Sequence, residues 1–439
     1  MKVLKFGGTS VGSAERMKQV AEIITAQGGK KIVVLSAMSG TTNKLVELAG
    51  YLKQANKTAA QELLANLRSS YNITLQDLYK NEDIKSAANE VLEECFSYLR
   101  SLAVGEYHVS KEKSILAQGE ILSTRLFHYY LKESEVSSAL IPALDFMRIN
   151  QEGEPVMQEI TDKISVFLDA EKNTEILVTQ GFICRNAYGE VDNLKRGGSD
   201  YTASLIAGAI QAEEIQIWTD IDGMHNNDPR VVDKTRPIAM LSYDEAAELA
   251  YFGAKILHPS SILPARFANI PVKLKNTLEP DAPGTLISSE SEHGTIKAVA
   301  AKDGITAITI KSSRMLMAYG FLRAIFEVFE RYKTPIDLIT TSEVAVSVTI
   351  DDTAYLEKIV GDLRSFGMVT VQEDLTIVSI VGNGIGDQCG IANKVMQCLK
   401  EIPIRMISYG GSKHNVSLLL PSNCKVAALK NFNSELFNL

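Results

Sequence analysis

Five cysteines stand in 439 residues (Cys95, Cys184, Cys389, Cys398 and Cys424), scattered and without a Cys-x-x-Cys spacing. An odd, unpatterned set argues against a disulfide framework or a zinc site, and for reduced thiols that are mostly buried. Histidine is equally dispersed, six in all with no His-Glu-x-x-His, so a metal cage made only of protein ligands is not expected. No uncharged apolar run approaches the roughly eighteen residues a membrane-spanning helix needs. Val3-Leu4 runs straight into Lys5 and Gly-Gly-Thr-Ser, without the apolar stretch of a signal peptide, and a cytoplasmic location is the expectation. Basic blocks are missing too. The net charge of −8 is spread along the chain, which leaves no electrostatic footprint for nucleic acid. An anionic ligand must then be held by a few local cations and backbone amides.

What is present is the composition of a soluble globular protein, 45% apolar and 22% charged, in a chain too long for one ordinary core. Two or three domains are expected. Ile32–Leu35, Ile176–Val178 and Ile215–Trp218 have the length and branching of buried strands. Between the first two, Leu92, Phe96, Leu99 and Ala103 recur at helical spacing. Strands separated by helices predict an α/β/α sandwich on a mostly parallel sheet. Ligands of such sheets sit beyond the C-terminal strand ends, which singles out the loops Ser36–Asn43, Gln180–Ile183 and Thr219–Arg230. The breaker-rich stretch 279–294 marks a domain boundary near 289–295. Beyond it the elements shorten. A strand from Ile305, a helix over 320–332, strands over 335–341 and 344–350, a helix over 354–366 and a strand at 369–371 give a β-α-β-β-α-β order. A second, weaker copy follows from Thr376 to Leu436. The expected domains are 1–292, 300–374 and 375–439, the last two ferredoxin-like.

Three segments have the residue types of a phosphoryl-transfer site. Lys5-Phe6-Gly7-Gly8-Thr9-Ser10 joins a strand to a helix beginning near Ser13-Ala14-Glu15. Paired glycines let backbone amides approach phosphate, and a lysine supplies a point charge. It is not a Walker A loop, and such a turn is also a common structural device. Arg196-Gly197-Gly198-Ser199-Asp200 precedes a helical stretch. Arg196 suits a carboxylate in bidentate fashion and Asp200 suits a lysine, although Asp200 can equally be a plain N-cap. Trp218-Thr219-Asp220, followed by Asp228-Pro229-Arg230, falls at a strand end where a nucleotide contact is expected, or forms an ordinary Asp-Gly and Asp-Pro turn. Ser242-x-x-Glu245 reads as a capping box for a helix over 243–254. Gln118-Gly119-Glu120 reads as a turn, for which an exposed acid is the ordinary outcome.

Together with Ser36–Asn43, Gln180-Gly181-Phe182 and Phe252-Gly253-Ala254-Lys255, these segments resemble the aspartate kinases of the amino-acid-kinase fold. The stretch Ile336–Val344 is similar to the effector-binding part of their ACT domains, so the resemblance covers the whole chain in order. It implies an enzyme that phosphorylates the β-carboxylate of L-aspartate with ATP and Mg²⁺ held through the phosphates. That is the first step toward lysine, threonine and methionine. It also implies that Lys5 stabilises the transferred phosphoryl group, with Gly7 and Gly8 supplying amides, and that Asp200 organises the catalytic lysines. Thr42, Glu120, Arg196 and Ser199 match positions that hold aspartate. Thr219, Asp220, His225, Arg230 and Lys255 match the nucleotide side, with His225 standing where many relatives have tyrosine and Lys195 where they often have glycine. In the tail, Met315, Gly320, Phe321, Leu322, Asp337, Ser342 and Glu343 match positions that bind lysine as inhibitor, and Ala318 replaces a serine. As residues alone, Asp337 and Glu343 also read as strand-end acids facing solvent. A homodimer through the ACT domains is expected, because small βαββαβ units leave sheet edges open. The alternative from another class is an amino-acid sensor whose kinase domain is inactive; an enzyme of the same fold acting on glutamate, N-acetylglutamate or UMP is a further one.

Overall fold

The β-branched runs form strands and the amphipathic stretches form helices. In chain order the elements are β1 (Lys2–Phe6), α1 (Ala14–Ala26), β2 (Lys31–Leu35), α2 (Thr41–Lys53), α3 (Lys57–Leu78), α4 (Glu82–Leu102), α5 (Val109–Glu133), β3 (Ser138–Leu140), α6 (Ala143–Phe146), α7 (Met157–Ala170), β4 (Ile176–Gln180), β5 (Ile183–Arg185), β6 (Val191–Asn193), α8 (Gly198–Ile210), β7 (Glu214–Thr219), β8 (Met240–Ser242), α9 (Tyr243–Tyr251), α10 (Leu263–Phe267), β9 (Val272–Asn276) and β10 (Thr285–Ser288). The structure, a computed structural model, describes residues 1–104, 107–194, 197–253, 257–315 and 319–439. Residues 1–224 with 256–289 pack as one unit, and residues 225–255 with 290–439 as another.

In the first unit the strand order runs β3-β4-β2-β1-β7-β9-β10. Neighbours from β3 to β9 are parallel, and β10 is antiparallel to β9. Every residue of β2 and of β4 is buried, as a sheet covered on both faces requires. The chain builds β2, β3 and β4 on one side of β1 and then crosses to β7 on the other. That reversal opens a crevice at the C-terminal ends of β1, β2, β4 and β7, where the loops singled out from the sequence begin. The helix α1 begins at Ala14, as expected, and Ser13 caps it by accepting a bond from the Arg16 amide. Leu92, Phe96 and Leu99 form the buried stripe of α4. Phe6 stacks on Trp218 across the β1–β7 pair, with ring centroids 5.7 Å apart.

The second unit contains β11 (Ala298–Lys311), α11 (Phe321–Arg331), β12 (Ile339–Thr341), β13 (Ala345–Ile350), α12 (Leu356–Leu363), β14 (Met368–Val381), α13 (Ile391–Cys398), β15 (Met406–Ser408), β16 (Asn415–Pro421) and α14 (Lys425–Phe437). Its antiparallel sheet is ordered β12-β13-β11-β14-β16-β15 and carries two cores. One gathers Ile308, Ile325, Phe329 and Val346, the other Val378, Val395, Val416 and Phe432. The two βαββαβ copies are present, but they share strands. β11 begins at Ala298, not Ile305, and pairs with β14 along its whole length, with register shifts around Ile305. Lys302-Asp303-Gly304 breaks the alternation there, which hid the first half of the strand. That half closes the second copy against Ile377–Val381. Residues 225–255 pack with this unit. Within it, Asn227 donates to the Leu429 carbonyl (2.9 Å) and Asn433 to the Lys234 carbonyl (2.9 Å).

Trp218 is the single tryptophan of the chain and reports on the first unit. Phe6→Ala, which empties its stacking position, is expected to lower the stability of that unit by about 3–5 kcal/mol. The measurement is denaturant unfolding followed by Trp218 emission; a midpoint unmoved from wild type would contradict the packing described.

Candidate active site

Lys5 lies one residue before the end of β1, and its ammonium is 2.6 Å from Asp200 Oδ1, with the two side chains 12% and 13% exposed. Asp200 is not the N-cap of α8. Gly197, in the left-handed region at φ 65°, takes that position, and Asp200 sits in the first turn, where the helix dipole favours a negative charge. The strand end and this helix approach closely only because residue 181 is glycine. A Cβ there would lie 2.3 Å from the Ser199 side chain. Ser36, the first residue after β2, donates its hydroxyl to Ser199 Oγ at 2.9 Å. The turn after β1 is tied down from within. The Gly7 amide donates to the Trp218 carbonyl (3.2 Å), and the hydroxyls of Ser10 and Thr277 are 2.7 Å apart.

These elements enclose a cavity of about 400 Å³ lined by Gly8, Thr9, Ser36, Ser39, Thr42, Glu120, Phe182 and Ser199, among others. Thr42, Glu120 and Ser199 are thus brought together as the family resemblance implies. Arg196 lies outside the described residues. Glu120 differs from the sequence reading: Gln118-Gly119-Glu120 is no turn but the middle of α5, and Glu120 is 4% exposed. Gly119 suggests a break, yet it serves close packing, since a Cβ would sit 2.9 Å from Ala37 Cβ. The apolar repeat Ile115, Leu116, Leu122, Leu126 and Phe127, all buried, carries the helix through it. Burial pushes the Glu120 carboxyl up to about 7, although the Ala37 amide bonds to it. Its Oε2 is buried and has no hydrogen-bond partner among the described residues. Phe182, at φ 66°, also lines the cavity; the Gln-Gly-Phe stretch marked the loop but gave this side chain no role.

Of the residues expected to meet the nucleotide, Thr219 ends β7, donates to Asp220 Oδ1 (3.0 Å), and accepts on its carbonyl from the Thr277 hydroxyl (2.7 Å). His225 and Arg230 belong to the second unit. There His225 Nδ1 is 2.7 Å from the Thr235 hydroxyl. Asp228 grips the Arg230 guanidinium through two bonds of 2.9 and 2.8 Å. That pairing holds the Asp228 carboxyl below the usual carboxylate range. Lys255, like Lys195 and Ala318, lies outside the described residues. The capping box of Ser242 and Glu245 is present, and α9 ends at Tyr251, short of the expected 254.

In the second unit Gly320 caps α11 at φ 80°, and the Phe321 ring meets Phe366 edge-on with centroids 6.0 Å apart. Met315 is half-buried, whereas Leu322 is 38% exposed. Ser342 donates its amide to the Ala345 carbonyl in the turn before β13, where Glu343 is exposed. Asp337 does not face solvent. Its side chain is 2% exposed and pairs with Lys302, a partner the sequence reading did not find because the two lie far apart along the chain.

Residues 1–276 match the amino acid kinase family, and residues 378–436 match an ACT domain. A kinase domain of this kind with an ACT tail defines a regulated phosphotransferase acting on a small metabolite. Lysine-sensitive aspartokinase 3 of Escherichia coli is 34% identical over 447 residues, covering 99% of this chain and 99% of its own. The E. coli aspartokinase III structure with aspartate and ADP, in its R-state, matches with a TM-score of 0.86 at 34% identity over 100% of both chains. The same enzyme with lysine and aspartate, in its T-state, matches at 0.82 and 34% identity over 100% of this chain and 99% of that one. The chain belongs to the aspartokinases.

Glu120 generates a pH prediction. Its folded-state pKa is raised, so between about pH 4.5 and 7 the folded chain holds a proton that the unfolded chain has lost, and stability falls as pH rises through that window. Glu120→Gln is expected to raise the thermal midpoint at pH 8 and to leave it nearly unchanged near about pH 5. An equal shift at both values would contradict the raised pKa.

Proposed function

We propose that the cavity holds L-aspartate and that the γ-phosphoryl group of ATP is transferred to its β-carboxylate, giving 4-phospho-L-aspartate and ADP. The observation that carries the reading is the convergence of two features on one crevice. The Lys5–Asp200 pair supplies a positioned ammonium at the end of β1. Glu120, a buried carboxylate with an unpartnered oxygen, is among the residues that line the cavity, together with the hydroxyls of Thr9, Ser36, Ser39, Thr42 and Ser199. Such a carboxylate suits the α-ammonium of an amino acid. Ser199 and Thr42 offer donors to its carboxylates, one of which the family resemblance assigns to Arg196.

The acceptor carboxylate is already ionised at neutral pH, so the reaction needs no general base. Its barrier is one of bringing two anions together, and it is lowered by positioning and charge neutralisation. Lys5 neutralises charge on the transferring group, Asp200 fixes the direction of that ammonium, and the Gly8 backbone borders the space the phosphate enters. Gly7 sets the turn that presents Gly8. Within the first unit, Thr219 and Asp220 are the residues proposed to meet the nucleotide. Among the described residues no three of His, Cys, Asp and Glu are grouped to hold a metal ion. Mg²⁺ belongs to this proposal as a companion of the ATP phosphates.

Lysine is the proposed inhibitor, bound in the regulatory sheet by Met315, Gly320, Phe321, Leu322, Asp337, Ser342 and Glu343. A homodimer is part of the same proposal. The outer strands β12 and β15 expose Ile339 (46%) and Ile407 (44%), and pairing between subunits would cover such edges. Among the described residues no helix is long and apolar enough to cross a membrane, and a cytoplasmic site of action is proposed.

The test is trapping of the acyl phosphate with hydroxylamine in Mg-ATP, with aspartate, glutamate and N-acetylglutamate offered in turn. Aspartate is expected to be the acceptor, and Lys5→Ala to lower kcat by about 10²–10³-fold or more. Trapped product from glutamate alone, or a Lys5→Ala enzyme with wild-type turnover, would overturn the assignment.

A further inference from the structure

The two oxygens of Asp337 are unequally served. Oδ1 accepts from the Tyr251 hydroxyl at 2.8 Å and from the Lys302 ammonium at 2.7 Å. Oδ2 is buried and has no hydrogen-bond partner among the described residues. The same ammonium reaches Asp351 Oδ2 at 2.8 Å and lies 4.6 Å above the Tyr251 ring. Two carboxylates and an aromatic face around one cation make an alkylammonium cage. Burial by itself would lower the pKa of Lys302, but its bonds to Asp337 and Asp351 outweigh that and hold it above the usual value.

The backbone fixes this cage between the regulatory sheet and the end of α9. Lys302 is the last paired residue before the register shift of β11. Gly253, at φ 128°, lies directly on the preceding residue, since a Cβ there would sit 2.2 Å from the Ala301 carbonyl oxygen. Tyr251 is the last residue of α9, four positions before Lys255. A group that takes Asp337 therefore changes what holds the C-terminal end of that helix.

We propose that Lys302 is a tethered occupant of an ammonium site, and that free lysine enters by displacing it from Asp337 and releasing Tyr251. The inference rests on the reading above that lysine is the effector and meets Asp337. A second ammonium can use the unpartnered Oδ2, whose burial without a bond is unfavourable. Two ammonium groups in one cage repel, so Lys302 swings toward Asp351 and solvent. The intrinsic affinity for lysine is then reduced by the fraction of molecules in which Lys302 holds Asp337.

The experiment is calorimetric titration of the full chain with L-lysine, paired with turnover at each lysine concentration. Lys302→Met is expected to bind lysine about tenfold more tightly and to be inhibited at correspondingly lower concentration, with turnover unchanged when lysine is absent. Tyr251→Phe keeps the ring and loses the hydroxyl; it should bind lysine at least as tightly yet be inhibited less at saturation. If K302M does not fold, Lys302→Arg, which grips two carboxylates more firmly, should bind lysine more weakly than wild type. Unchanged or weaker binding by K302M, or unchanged binding by K302R, while Asp337→Asn abolishes binding, would overturn the displacement and leave the effector position standing. Intact lysine binding in Asp337→Asn would instead remove the reading beneath it.

Discussion

An ammonium held 2.6 Å from a carboxylate, with both side chains almost out of solvent, is the interaction on which the proposed chemistry of the N-terminal unit depends. A pair this buried is a poor source of stability, because desolvation of two charges offsets much of their attraction. Its worth lies in direction. Lys5 leaves β1 at the point where the sheet order reverses, and Asp200 meets it from the first turn of α8, so the pair is fixed at the strand ends where the topology opens a crevice. The close approach at Gly181 and the hydroxyl bond from Ser36 to Ser199 hold α8 against the neighbouring strand ends.

Charge is handled differently at the two ends of the chemistry. Lys5 faces a carboxylate partner, whereas Glu120 is left with an unpartnered oxygen and a carboxyl pushed up to about 7. A site that receives an amino acid needs both features. In the function proposed above, the cation is assigned to the anionic oxygens of the transferring group and the buried acid to the ammonium of the amino acid, beside which it ionises fully. The hydroxyls of Thr42, Ser36 and Ser199 can donate to or accept from either end of such a ligand.

Much of this was legible in the sequence for identifiable reasons. The parallel sheet announced itself through short runs such as Ile32–Leu35 with nothing polar in them. The capping box at Ser242 and Glu245 is a local pattern and came out as read. Glu120 was misread because Gly119 looks like punctuation, while the helical repeat that overrides it spans more than a dozen residues. Asp200 was open between cap and site until Gly197 was seen to take the cap. The first half of β11 was hidden by Lys302-Asp303-Gly304, and the pairing of Lys302 with Asp337 and Asp351 joins residues that only the folded sheet brings together. Contacts of that kind carry no local signature.

The central claim is that Asp200 serves Lys5 and not the fold. Its most direct test is Asp200→Asn, which keeps size and hydrogen bonding and removes the charge, measured both for turnover with aspartate and Mg-ATP and for unfolding of the first unit. The account predicts a fall in kcat of about 10²-fold or more with stability changed by no more than about 1 kcal/mol. Preserved turnover in a destabilised protein would contradict it.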